Sequence, residues 1–139
     1  MPSTIARSPL LAIQDAIRQR LESAPDLGAE VYEYVEPEPS YPHVLLGAAT
    51  EEPDNTHGAF GRQCTHTVQV WSQQPGLAEA KQVADRVTQL LDHQPLELDG
   101  PWRVVVCAFA EGHAERDPDS PDLTRVTATF RIVTSQAAQ

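Results

Sequence analysis

Cysteine is scarce in this chain of 139 residues, lysine scarcer still, and long apolar runs are missing altogether. Two cysteines, Cys64 and Cys107, cannot make a disulfide framework, so a reducing intracellular setting is the expectation. Lysine occurs once, at Lys81, which removes lysine-dependent chemistry almost entirely. No stretch approaches the roughly 20 apolar residues that span a bilayer, and no membrane association is expected. Met1 to Arg7 has no basic region followed by an apolar run, so no secretory signal is expected either. Cations are outnumbered: ten Lys and Arg face twenty Asp and Glu, for a formal charge of −10. That excludes a protein whose main work is gripping nucleic acid, because such affinity needs clustered cations against phosphates.

What remains is ordinary globular material, 40% hydrophobic and 22% charged. The length predicts one domain over 1–139, with a core at about 8–134 and short flexible termini. A domain of this size buries roughly 68–70% of its unfolded surface, enough to fold without metal or disulfides.

Ser8-Pro9 reads as a helix cap followed by proline in the first turn. Leu10, Ile13, Ile17 and Leu21 then form one apolar stripe, and Pro25 and Gly28 close it, which predicts a helix over about 9–24. Residues 30–35 are β-formers suited to an edge or half-buried strand. Pro37, Pro39 and Pro42 mark an extended spacer, and His43 to Leu46 reads as a short strand ended by Gly47. Residues 48–63 lack periodicity and are expected to be a long flexible loop, a length usually kept for function. From Cys64 to Trp71 the residues alternate as in a strand. A second helix begins near Pro75-Gly76, with Leu77, Ala80, Ala84, Val87 and Leu91 on its apolar face and Val83 and Leu90 widening it. Two β-rich runs, 102–111 and 123–133, close the chain around a tip at 112–122. This order predicts an α+β fold: a mainly antiparallel sheet with two helices packed on one face and long acidic loops.

The acids are unevenly placed. Between Leu21 and Gly61 there are nine and no Lys or Arg, including Glu51, Glu52 and Asp54. The closing tip adds Glu111, Glu115, Asp117, Asp119 and Asp122 around Arg116. Simple solubility explains such runs as readily as contact with a partner does.

Chemistry is hard to find. Cys64 and His66 share a strand face, and Cys107 with His57 or His113 would complete four zinc ligands. No paired ligand spacing supports that set, and buried cysteines are ordinary core residues, so no metal is assigned. Asp117, Asp119 and Asp122 could hold a hard cation, but Pro118 and Pro121 break the loop geometry, which also lacks the glycine and closing glutamate. His43, His93 and His113 have no nucleophile beside them, there is no Gly-x-Ser-x-Gly elbow, and the seven glycines make no phosphate-cradling loop. No catalytic residue and no cofactor is assigned; the chain reads as a non-enzyme. Trp71 and Trp102 each end a strand and are candidate packing or interface anchors.

Over residues 8–133 the chain resembles the tail-terminator, or tail-completion, family of long-tailed bacteriophages and gene-transfer particles. The resemblance rests on the order and spacing of its segments. An amphipathic helix precedes Val31-Tyr32, and Tyr-Pro-His-Val-Leu-Leu-Gly follows at 41–47. A long variable loop leads to Thr67-Val68-Gln69-Val70-Trp71-Ser72, then to Gly76, Glu79, Ala80 and the helix through Leu91. A hairpin with Thr129-Phe130-Arg131-Ile132 closes the set, its tip longer than the family's.

The resemblance implies a structural virion protein made in the bacterial host cytoplasm. It implies a homohexameric ring at the head-proximal end of the tail, with the tail tube protein and the head connector or neck protein as partners. DNA is then expected to pass through the lumen without specific binding. Six copies would carry −60, six times the charge of one chain, and acidic loops lining the passage would repel phosphates. In that setting Glu51, Glu52, Asp54, Glu115, Asp117, Asp119 and Asp122 are the candidate lumen or partner contacts. Two other readings stay open: a head-completion or neck ring protein, and a small acidic domain that binds a basic or metal ligand.

Overall fold

A computed structural model of the chain describes residues 5–55 and 59–137. The elements run α1 (Leu10–Glu22), β1 (Glu30–Tyr32), β2 (His43–Pro53), β3 (Gly61–Ser72), α2 (Ala78–Leu91), β4 (Trp102–Arg116) and β5 (Thr124–Gln136). The five strands form one sheet in the order β1-β2-β3-β5-β4. Only β1 and β2 are parallel; every other pairing is antiparallel. Both helices pack on one face of this sheet, the α+β arrangement the periodicities predict.

The helices form where the stripes place them. Ile13, Ile17 and Leu21 of α1 are fully buried and Leu10 half-buried, while Arg18 faces solvent between Asp15 and Glu22. The cap differs from the expected one: Pro9 rather than Ser8 holds the cap position, its carbonyl accepting from the Ile13 N–H at 2.9 Å, while the Ser8 hydroxyl accepts from the Leu10 N–H at 3.4 Å. Gly28, at a φ of +77°, turns the chain away beyond the helix, in a conformation that side chains with a Cβ resist. Arg20 in the last turn donates to the Leu90 carbonyl at 2.7 Å and ties α1 to α2. On α2 the buried set is Ala80, Val83, Ala84, Val87 and Leu91.

The sheet supplies the other half of the core. Cys64, His66, Val68, Val70 and Ser72 point under the helices, as their alternation predicts, together with Thr124, Val126, Ala128, Phe130 and Ile132 of β5. Phe130 lies at the centre and meets Phe109 edge-on, with ring centroids 5.9 Å apart.

Three sequence expectations are corrected here. Residues 48–63 are not one long loop: β2 runs on to Pro53, and β3 begins at Gly61. A bulge at Gly47 and Ala48 shifts the register between Leu46 and Ala49, so the alternation ends there although pairing with β3 continues. The closing hairpin tip likewise shrinks to residues 117–123, because β4 passes through bulges after Val104 and Phe109 before ending at Arg116. Third, β1 is shorter than expected, leaving Tyr34 and Val35 exposed beyond its end. Its parallel pairing with β2 is possible because a three-residue strand is only about 10 Å long, a distance that residues 33–42 easily retrace.

Candidate assembly surfaces

The seven candidate acids fall into three places. Glu51 lies on β2 and points to the helix side, where Arg62 Nε approaches its carboxylate at 3.2 Å and the Ser8 hydroxyl donates to it at 2.9 Å. It pins the start of α1 to the sheet, a structural placement rather than a loop contact. Glu52, the next residue, points to the opposite, uncovered face. Glu115 is also on a strand and on that face, in register with Arg125 and Trp71 on the neighbouring strands.

Those three residues make one polar stack across three strands. The Arg125 guanidinium sits 5.1 Å from the Trp71 ring centre and donates to Glu115, with His113 Nε2 3.7 Å from the same carboxylate. The hydrogen bond from Arg125 holds the Glu115 carboxyl below its ordinary range, helped by the charges of Arg125 and His113. Trp71 donates its indole N–H to Gln69 at 3.1 Å. Trp102 is covered in the same manner: Arg7 lies 5.0 Å over its ring. Each tryptophan is thus packed beneath an arginine, a partner that spacing alone does not indicate.

Asp54 and the group Asp117, Asp119 and Asp122 occupy the two turns. Asp54 begins the β2–β3 connection, its N–H donating to the Gly61 carbonyl at 2.9 Å. The three aspartates sit on the β4–β5 tip, where the Asp117 N–H donates to the Leu123 carbonyl at 2.9 Å and Arg116 donates to the Pro121 and Pro75 carbonyls. Gly61 pairs with Ser135 at one end of the sheet and Ser72 with Thr124 at the other. The two acidic turns therefore stand at opposite ends of a twelve-residue strand, about 40 Å apart. The sequence treated them as one set; the register separates them.

The weighed metal ligands do not converge. Cys64 and His66 share the helix side, whereas His113 lies on the uncovered face, and His57 is outside the described residues. Cys64 and Cys107 both pair with Ile132, from either side, which sets them two strand spacings apart, about 10 Å, too far for a disulfide. Burial pushes both thiols up to about 11, so neither is a nucleophile near neutral pH. Burial also takes His66 down to about 4, and its Nε2 has no hydrogen-bond partner within the chain among the described residues. His43 is lowered by burial as well, its Nδ1 2.8 Å from the Ser40 carbonyl and its ring against Tyr32 and Tyr41. Among the described residues no group of three or more His, Cys, Asp or Glu side chains is placed to hold a metal ion.

Comparison with known proteins identifies the family. A family model described as tail completion protein gp17 matches residues 12–135, nearly the whole chain. The chain belongs to the tail completion protein gp17 family. It is 32% identical over 92 residues to the tail completion protein gp17 of Bacillus phage SPP1, covering 64% of this chain and 68% of that one. Its fold is also similar to a chain in the virion of a native gene transfer agent particle, with a TM-score of 0.84 and 26% identity. That match covers 94% of this chain and 99% of the other. A tail completion protein is a structural component of the virion and not an enzyme.

Proposed function

We propose that six copies of this chain form a ring at the head-proximal end of the tail. One face of the ring meets the last layer of tail tube protein and the other meets the head connector or neck protein. The observation that carries this reading is the match to a virion chain over 94% of this chain and 99% of that one. The sheet geometry supports it. Strands about 40 Å long give the subunit two unlike ends, one bearing Asp54 and the other Asp117, Asp119 and Asp122. A ring of such subunits joined head to tail has two non-equivalent faces, as a junction between unlike partners requires.

DNA passes through this ring without specific binding. Six chains carry −60, six times the −10 of one, so phosphates entering the passage meet net repulsion. The acidic turns act at the two mouths of the passage, and Glu52 and Glu115 on the uncovered sheet face. Glu51 is withdrawn from this role by Arg62 and Ser8.

The test is electron microscopy of particles from a producer lacking this gene, with tail lengths scored. Headless tubes of uncontrolled length are expected. Tails of normal length beside unjoined or leaking heads would instead place the ring in the neck. Intact, infectious particles would refute both positions and favour a small acidic binding domain.

A further inference from the structure

We propose that the flank of β4 around Phe109 receives the Tyr34–Val35 corner of a second copy of the chain. The proposal rests on the ring reading above and adds which surfaces close the ring. The sheet has two edges, β4 on one side and β1 on the other. An exposed edge strand commonly recruits another strand through its free backbone groups. The middle of β4 is closed to that. The His93 N–H donates to the Cys107 carbonyl at 2.7 Å, and the Phe109 N–H donates to the Asp92 carboxylate at 2.8 Å.

Side chains are what this edge has left to offer. The first bulge of β4 leaves Val105 at 54% exposure, and Phe109, in register with Phe130 just before the second bulge, is 43% exposed because β4 is the edge strand. One side of the Phe109 ring packs on Phe130, and the other borders a groove of about 360 Å³ lined by the small residues Ala84, Ala114 and Ala128. Lys81 and Asp85 both line it; Asp85 accepts a hydrogen bond from Gln89 at 3.0 Å, and Lys81 makes no ion pair among the described residues. A groove of this size, small-walled and flanked by an aromatic ring, fits one inserted apolar side chain or two.

The opposite edge carries the complement. Tyr34 is 70% exposed and Val35 49%. Around them lie Glu30, Glu36 and Glu38, none in an ion pair among the described residues, while Glu33 is held by Arg18 at 3.0 Å. The heights agree. Tyr34 follows two residues after Tyr32, which pairs with Leu45, and Phe109 shares a rung with Phe130, His66 and Ala49. The two patches thus lie within about 7 Å of the same level along the strands. Moving one copy sideways brings its Tyr34 and Val35 to the groove of the next, with unpaired glutamates near Lys81. This is a head-to-tail contact, which closes into a ring when the rotation allows. A two-fold contact would instead set the acidic corner against itself.

Native mass spectrometry of the purified full chain tests this, using Phe109→Asp and Val35→Asp. Wild-type protein is expected to form rings, and each variant to stay monomeric with self-association weakened roughly 30-fold or more. An equal mixture of the two variants is expected to give dimers and no ring, because one intact contact survives between them. Should a variant lose its circular dichroism melt, Lys81→Glu replaces it, an exposed change whose ring is restored by Glu36→Lys. Rings of wild-type stability in both variants would overturn the assigned surfaces and leave the ring itself standing. Monomeric variants that fail to dimerise when mixed would show that the two patches are not each other's partners. If wild type forms its ring only in particles, the variants are scored there by electron microscopy, where loss of the ring is expected and its retention would overturn the assigned surfaces; a wild-type chain monomeric in solution and absent as a ring from particles would remove the ring reading and this proposal with it.

Discussion

Acid should loosen this protein through a single histidine. His66 is 6% exposed on β3, beneath α1, and its burial lowers its pKa to about 4 from an ordinary 6.5. Its folded-state value is depressed, so the unfolded chain takes up a proton as pH falls through about 6.5, whereas the native chain resists until about 4. Stability conferred by the neutral ring is therefore complete above that window and lost progressively across it. The two limits convert to about 3 kcal/mol, a large share of the 5–15 kcal/mol typical of a domain. The perturbation is His66→Leu, which keeps an apolar group of similar reach and removes the titration. Urea unfolding at one fixed protein concentration, followed across the window, gives the free energy at each pH. Wild type should lose about 3 kcal/mol more than the variant between the two limits. Equal losses in the two proteins would refute the assignment and place the acid sensitivity in the carboxylates or in His43.

Other perturbations read other parts of the fold. Arg125→Ala removes both the cation over Trp71 and the ion pair to half-exposed Glu115, and should cost about 1–2 kcal/mol by denaturant melting, with Arg125→Lys recovering only part of it. Gly61→Ala drives a methyl group into the Asp54 carbonyl oxygen, which is backbone and cannot swing away, so a loss of about 1–3 kcal/mol is expected. Thiol labelling of the native chain near neutral pH should be slow at Cys64 and Cys107 and become fast only on unfolding; rapid native labelling would contradict their burial.

Much of this protein was legible in its sequence, for reasons that differ between elements. The stripe of α1 and the alternation of Cys64 to Trp71 each bury one face of a regular element, so the pattern written in the residues is the pattern observed. The family resemblance is legible for the same reason, since it rests on the order of those elements, and the match over residues 12–135 agrees with it. The second half of β2 was hidden. Gly47 and Ala48 insert a bulge, and the exposed residues that follow are held by pairing with β3 rather than by burial. No periodicity marks a strand whose stability comes from its neighbour.

The candidate acids show the same division. Composition alone established the two-to-one excess of acids over cations, because that depends only on which residues are present. Where each acid points was decided by register. The β3–β5 pairing sends the two acidic turns to opposite ends of the sheet, and the β2–β3 pairing turns Glu51 inward to Arg62 while its neighbour Glu52 faces out. Phe109, Tyr34 and Val35 became surface features only when strand order and strand ends set them at the two edges. Sequence fixes the period of an element. Which residue stands beside which across a sheet is settled by contacts between distant segments, and only the folded chain contains those.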